Sequence, residues 1–446
     1  MSFRESCEAA RTLSWAFAAA ALLGVACPSN AFGQDVVSPD RPPRGLFGGR
    51  PARTTGQTLE LTWSTFSGYD DNVRAETPAA ADPSFLVKGT YGTGGAGLAY
   101  AARGERSAFG ASLSSNGHYY PDLHELNGVE ASGNLTFNTT LGRRGQLQGS
   151  QNFSYEPFYG VNFLNSASPS SVPVVAQPQD GRGTDTALKG LQAYDSNGQI
   201  TLKEGLSVRS ALQFAYSYRH TVFGSGDEHF NWQLANVTFS RNMTRYAALR
   251  AGYGYGVAQD TLGAGVPTVV NHNIDLGVDY NRPLSFSRRT KIALSSGSTA
   301  VVERGSTTYF VIGDAKITRE MSRTWNGSFG YHRGIQHLPG FSDVFVSDTA
   351  QLQFGGLVGR RVDASMGGGY SIGHVGVQDR GSRGYSSLTA TGVVRIAISS
   401  VLAFTTQYTY YRYAFDDGVE VPLGLPSAFN RQALLFGLSG WVPLVR

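Results

Sequence analysis

From Gln57 onward the chain alternates apolar and polar residues in segments of about ten, each ended by a turn. Leu206, Val208, Leu212, Phe214, Tyr216 and Tyr218 share one side of a segment, and Ser207, Arg209, Ala211, Gln213, Ala215, Ser217 and Arg219 share the other. Leu249, Ala251, Tyr253, Tyr255 and Val257 oppose Arg250, Gly252, Gly254 and Gly256. Ile274, Leu276, Val278 and Tyr280 oppose Asn273, Asp275, Gly277 and Asp279. A period of two predicts strands. A soluble antiparallel sheet alternates as well, so the polar side decides. It is filled with Ser, Thr, Asn, Gln and Gly over nearly 400 residues, with scattered charges and almost no helix signal. A lipid-facing band around a wet lumen requires this pattern.

The connections carry a second signal. Short ones fall at "RGERS", "GRRG", "KEG", "SRNMTR", "NRPLSFSRR", "REMSR", "GRR" and "AISS". Long ones fall at 73–90, 118–128, 158–188, 222–228, 259–270, 302–306, 335–345, 374–384 and 415–427, in alternation with the short set. Eight short turns and nine long loops predict an all-β antiparallel transmembrane β-barrel of about 18 strands (16–18). Short turns then face the periplasm and long loops face outward. The pattern breaks register near Asn236 in "HFNWQLANVTF". In the last strand Leu434, Phe436 and Leu438 face the lipid, before an end at "GWVPLVR".

Composition agrees. With 56 glycines, 22 tyrosines, 25 phenylalanines and only 16% charged residues, the chain departs from a soluble domain of its length. A net charge of +4 is too small to call for nucleic acid. Leu13–Ala26 is an apolar run after Arg4 and Arg11, with "AFG" following, which predicts a signal peptide over 1–33 cleaved before Gln34. "GVAC" places Cys27 where a lipidated cysteine would stand, so lipoprotein processing is the alternative. The only cysteines, Cys7 and Cys27, precede the mature chain, which rules out a disulfide scaffold and a Cys-ligated metal in it. A Pro/Gly/Arg-rich segment at 34–56 reads as a flexible periplasmic lead-in, and 57–446 as the barrel.

Candidate chemistry falls on the wall. Glu130, Arg209, Arg219, Arg250, Asp275, Asp279, Lys291, Asp314, Lys316 and Arg395 are expected to line the pore. They form either salt-bridge ladders that hydrate the wall or, through Arg209, Arg219 and Arg250, a basic patch that guides anions. All eight histidines are placed in long loops or at strand ends beside them. No HExxH or GxSxG accompanies them, so no catalytic residue, resident metal or cofactor is expected. Most tyrosines and tryptophans near strand ends read as girdle residues, with Tyr411 and Tyr413 turned inward. The stretch Tyr69, Asp70, Asp71, Asn72 reads as the cap of the first strand, its Asx side chains satisfying local backbone groups.

"YDDNV" at Tyr69–Val73, closing a first strand behind a Pro-rich exported leader, resembles a family of Gram-negative outer-membrane β-barrel porins. That family is of the kind associated with exopolysaccharide secretion. The resemblance covers the layout of the mature chain and implies a passive conduit in the cell outer membrane, with no catalytic residues to carry over. It implies a polysaccharide substrate and periplasmic export proteins as partners, beside outer-membrane lipid and lipopolysaccharide. Export of an extracellular polysaccharide is the first expectation and a general diffusion porin for small hydrophilic solutes the alternative. An 18-stranded barrel is wide enough for an aqueous channel, and loop 158–188 is the expected constriction if it folds inward.

Overall fold

The computed structural model describes residues 56–72, 89–162, 186–189, 192–224, 228–261, 268–284, 287–303, 306–322, 324–336, 338, 341, 344–376, 384–416, 419, 421 and 427–445. The expected leader (1–33), nearly all of the lead-in and most of loop 158–188 lie outside these residues.

The strands follow in chain order. β1 (Gly56–Asp70), β2 (Gly89–Arg103), β3 (Ser107–Tyr119), β4 (Gly128–Leu141) and β5 (Gly145–Glu156) form the first arc. β6 (Tyr159–Asn162) and β7 (Thr186–Lys189) pair with each other as a separate two-stranded sheet. β8 (Ala193–Gly205), β9 (Ser210–Phe223), β10 (Glu228–Asn242), β11 (Ala247–Asp260), β12 (Val269–Leu284) and β13 (Ser287–Glu303) continue it. β14 (Ser306–Glu320), β15 (Asn326–Gln336), β16 (Phe345–Val358), β17 (Val362–Val375), β18 (Gly384–Ala397), β19 (Leu402–Phe415) and β20 (Ala428–Val445) complete it. Each wall strand pairs antiparallel with the next, β5 pairs with β8, and β20 returns to β1, so 18 strands close into one barrel. Closure leaves no sheet edge for the hydrocarbon to meet.

Alternation assigns the faces, and it inverts part way up the wall. In the lower part of β1, Leu59, Leu61 and Trp63 face out while Thr58, Glu60, Thr62 and Ser64 face the lumen. Above them Thr65 and Ser67 face out and Phe66 is buried inside. β19 repeats this: Thr405, Gln407 and Thr409 give way inside to Tyr411, Tyr413 and Phe415. In β10, Val237 and Phe239 face lipid opposite Asn236 and Thr238. Higher on the same strand His229, Asn231 and Gln233 face out, and Phe230, Trp232 and Leu234 face in. The break noticed near Asn236 is therefore a reversal of polarity on one continuous strand. From Arg241 to Gln233, the first polar residue of the inverted outer face, β10 climbs eight residues, roughly 20 Å at a tilt near 40°. The reversal falls where the strand leaves the hydrocarbon. The outer polar groups there bond to one another: His220 Nδ1 with Asn231 Oδ1 at 2.5 Å, Tyr216 Oη to Gln233 Oε1 at 3.2 Å, and Tyr253 Oη with His272 Nδ1 at 2.8 Å.

One correction concerns Arg209. The turn between β8 and β9 occupies 206–209, beyond the "KEG" that ends β8. The N–H groups of Leu206 and Ser207 both donate to the Ser210 carbonyl, at 3.0 and 3.1 Å, which fixes that turn. Arg209 thus sits in a periplasmic turn and not on the wall.

The wall also has an irregular quarter. The β12–β13 register shifts between His272 and Tyr280, where a Cβ on Gly277 would stand 1.8 Å from the Ser296 carbonyl, so only glycine fits. The β14–β15 ladder ends at Gly313↔Arg333, although β14 continues to Ser306 and β15 to Gln336. Above that point Val346, and Ile335 opposite it, pack against the inward-facing Val269, Val301 and Phe310 of β12–β14. The tip of the β15–β16 hairpin has left the cylinder and lies against the inner wall.

Candidate functional site

The Asp70–Asn72 cap forms a clasp between the first and last strands. Asp70 is the final residue of β1, turned inward and wholly buried. Its carboxylate accepts from the N–H of Asn72 at 2.9 Å and from Arg431 of β20 through both Nε (2.7 Å) and Nη2. Asp71 accepts from the Gln432 N–H at 2.6 Å and donates its own N–H to the Gln432 carbonyl at 3.1 Å. Asn72 Nδ2 donates to the Asn430 carbonyl at 3.0 Å. Burial lifts the Asp71 carboxyl above its ordinary range, against the pull of the Gln432 N–H. Tyr69, the fourth member of the motif, faces outward and is exposed, as an interfacial ring does.

Below the clasp several lumen charges are paired. Arg219 reaches Asp195 at 2.7 Å, and Thr221 and Asn197 donate to the same carboxylate at 2.5 and 2.8 Å. Arg250 bridges Asp275 at 2.5 Å and Asp279 at 2.8 Å beside the β12 bulge. Arg395 meets Asp363 at 3.1 Å, His332 meets Asp314 at 2.6 Å, and Glu130 lies 3.6 Å from the buried His118. Lys291 and Lys316 also face inward, by their pairing with Thr318 and Gly330. Among the described residues no carboxylate lies within ion-pair distance of Lys316. The expected basic patch does not form. Arg209 is in its turn, while Arg219 stands level with Trp232 and Arg250 with Ser240. That is eight residues along β10, or roughly 20 Å of height.

The periplasmic half of the lumen holds a cavity of 830 Å³ whose lining includes Asp279, Ser295, Asp314, Lys316, His332 and Gln351. His332 escaped the sequence reading, which put every histidine at the outer ends. Its face is set by pairing opposite Thr349, which only the β15–β16 register reveals.

Above, an apolar bridge crosses the mouth. Ala193, Phe223 and Phe230 of β8–β10 join Tyr385, Tyr411, Tyr413, Phe415 and Phe429 of β18–β20 in a single buried cluster. These two arcs lie on opposite sides of the barrel. Leu338 and Phe341, from the β15–β16 connection, sit within it. Phe341 meets Phe345 edge-on at 4.9 Å and Phe415 at 5.7 Å. A second group tucks the β3–β4 connection inward, with Tyr120 stacked on Tyr91 at 5.2 Å and Leu123 beside them. Among the described residues the β15–β16 connection narrows the mouth through Leu338 and Phe341, and most of loop 158–188, the expected constriction, lies outside these residues.

No protein-family model matches the chain, and no curated protein matches it. Among solved structures it is similar to OpdQ of Pseudomonas aeruginosa, with 9% identity, a TM-score of 0.45, and coverage of 87% of this chain and 98% of that one. It is similar also to OccAB3 of Acinetobacter baumannii, with 10% identity, a TM-score of 0.44, and coverage of 86% and 99%. OccK8 (OprE) of Pseudomonas aeruginosa gives 12% identity, a TM-score of 0.42, and coverage of 87% and 98%. The barrel's own geometry carries the reading. A closed cylinder with an apolar belt outside and a polar, charged wall inside belongs in the outer membrane, as a channel of the porin type.

Proposed function

We propose that the chain is a constricted diffusion channel for small hydrophilic solutes. The supporting observation is the apolar bridge of Leu338, Phe341, Phe345 and Phe415 across a barrel whose lumen is otherwise polar. An aqueous bore in an 18-stranded barrel admits bulky solutes. A packed aromatic bridge reduces that bore to what can pass beside it. The compensated charges below fit this reading, because paired carboxylates and guanidinia hydrate a wall without trapping an ion of either sign. A polysaccharide conduit needs a continuous opening wide enough for a sugar chain, so the bridge speaks against that first expectation.

Single-channel recording in planar bilayers tests the proposal. The expected result is a small unitary conductance that rises several-fold in Phe341→Ala. Large steady openings indifferent to Phe341→Ala would defeat it. Loss of surface polysaccharide on deletion of the gene would restore the export reading.

A further inference from the structure

We infer that the inner wall over Gly330, between Lys316 and Gln351, is a docking subsite for small oxyanions, solutes that carry a carboxylate or a phosphate group. The inference rests on the diffusion-channel reading and deepens it by naming a class of solute. The register sets the three residues side by side: Lys316 of β14 pairs with Gly330 of β15, and Gly330 with Gln351 of β16. Their chain neighbours Ile317, Phe329, Tyr331 and Leu352 are exposed on the outer face, so alternation turns all three inward. On its other side Lys316 pairs with Ala293. The lysine therefore stands between an alanine and a glycine. A Cβ built on Gly330 would meet nothing within 4 Å, so the wall is recessed there. Adjacent strands lie about 4.8 Å apart, which puts the Lys316 and Gln351 backbones roughly 10 Å from one another. An oxyanion over Gly330 can accept from the Lys316 ammonium on one side and the Gln351 amide on the other. Ser328, on the same face of β15, offers a hydroxyl, and all four residues line the 830 Å³ cavity.

The charges around the recess favour an anion. Asp314 shares the inner face of β14 with Lys316 but is held by His332 at 2.6 Å, and Asp279 is held by Arg250 at 2.8 Å. Arg245, in the β10–β11 turn, lines the same cavity. Lys291 of β13 pairs with Thr318, so it stands diagonal to Lys316 on the inner face and adds positive potential. Among the described residues neither Lys316 nor Gln351 has an ion pair or a side-chain hydrogen bond of its own. Both present donors into the recess, and an oxyanion satisfies them, the lysine through a charge-assisted bond. Lys203 supplies the contrast. It faces inward on β8 between Gln146 and Gln213, with a long side chain on either side of it. An unpaired cation and a recess coincide at Lys316 and not at Lys203.

Saturation-transfer NMR on the detergent-solubilised barrel tests this without requiring conduction. The probes are acetate and methylphosphonate, with neutral acetamide for comparison. Transfer to the methyl protons of one or both anions, and none to acetamide, is expected. The signal should fall at least fivefold in Lys316→Gln, which removes the charge. It should fall as far in Gly330→Leu, which fills the recess and leaves every charge in place. Gly330 is not among the positive-φ glycines, so a side chain there strains no backbone. Lys203→Gln should leave the signal unchanged. An equal loss in Lys203→Gln would overturn the subsite in favour of diffuse lumen charge. An undiminished signal in Gly330→Leu, or no transfer to either anion, would overturn it as well. If Gly330→Leu fails to assemble, Gln351→Leu takes its place, with the same loss expected. The anion that gives the stronger signal tells a carboxylate solute from a phosphate. A conductance indifferent to Phe341→Ala would sink the channel reading and leave the binding result standing, whereas a conducting barrel without transfer sinks the subsite alone.

Discussion

The seam between β1 and β20 joins the two ends of the barrel sequence and is paired from Leu59↔Val445 to Asp70↔Ala433. β14 and β15 are consecutive in the chain, yet they pair only from Glu320↔Asn326 to Gly313↔Arg333. Proximity in sequence lowers the entropy of closing a seam, so the opposite outcome would be expected from loop length alone. The difference lies in the side chains at the top. At β1–β20 an inward, buried Asp70 holds Arg431, and Asp71 and Asn72 extend the ladder past the end of β1. At β14–β15 the corresponding Arg–Asp pair, Arg333 with Asp348 at 3.2 Å, faces outward and ties β15 to β16. It fastens the hairpin to itself and gives nothing to β14. Closure of this wall follows from where the buried polar contacts are placed.

The strongest way to break the comparison is Arg431→Ala. It strands a wholly buried carboxylate, which costs about 3–5 kcal/mol when one partner of a buried pair is removed. The expected outcome is a marked fall in the urea midpoint of the detergent-solubilised barrel. Asp70→Leu combined with Arg431→Met should recover most of it, since an apolar pair of similar volume carries no uncompensated charge. An Arg431→Ala barrel that unfolds with the wild type would remove the clasp from the account.

Much of this was legible beforehand, for identifiable reasons. Period two survives wherever a strand has lipid on one side and water on the other, so the wall, the turns and the strand number could be read from residues such as Leu249–Val257. The same rule misleads above the membrane, where water lies outside and packed side chains inside. "HFNWQL" therefore looked like a broken strand and is an inverted one. "YDDN" marked the end of β1 because Asx clusters stop strands, but its partners Asn430, Arg431 and Gln432 come from the other end of the chain. No local pattern announces them. Arg209 was misplaced because a turn of four residues can mimic two more positions of alternation. The inward packing of Leu338 and Phe341 was not foreseen, because two apolar residues in a connection carry no sign of which way they turn.

A smaller effect separates the parts of the clasp. Asn72→Ala removes the hydrogen bond to the Asn430 carbonyl and leaves the Asp70–Arg431 pair in place. A net loss of about 1 kcal/mol is expected, measured as a modest shift of the same urea midpoint. A loss as large as that of Arg431→Ala would mean that Asn72, and not the ion pair, holds the seam.

The smallest effect is the most discriminating. Asp348→Asn cancels the outward pair with Arg333, whose side chains are 43% and 35% exposed for Arg333 and Asp348. Partly exposed pairs contribute about 0–1 kcal/mol after solvent screening. The Tyr331 hydroxyl, which donates to the same carboxylate, can still donate to the amide oxygen. Global stability should therefore stay within about 1 kcal/mol of the wild type. The local consequence is at the seam: the hairpin is held by fewer bonds exactly where β14 departs. Amide hydrogen exchange in β15 above Arg333 should accelerate while β1 and β20 remain unchanged. Faster exchange in β1 and β20 would mean that the two seams act as one unit, and that the contrast between them is only geometric.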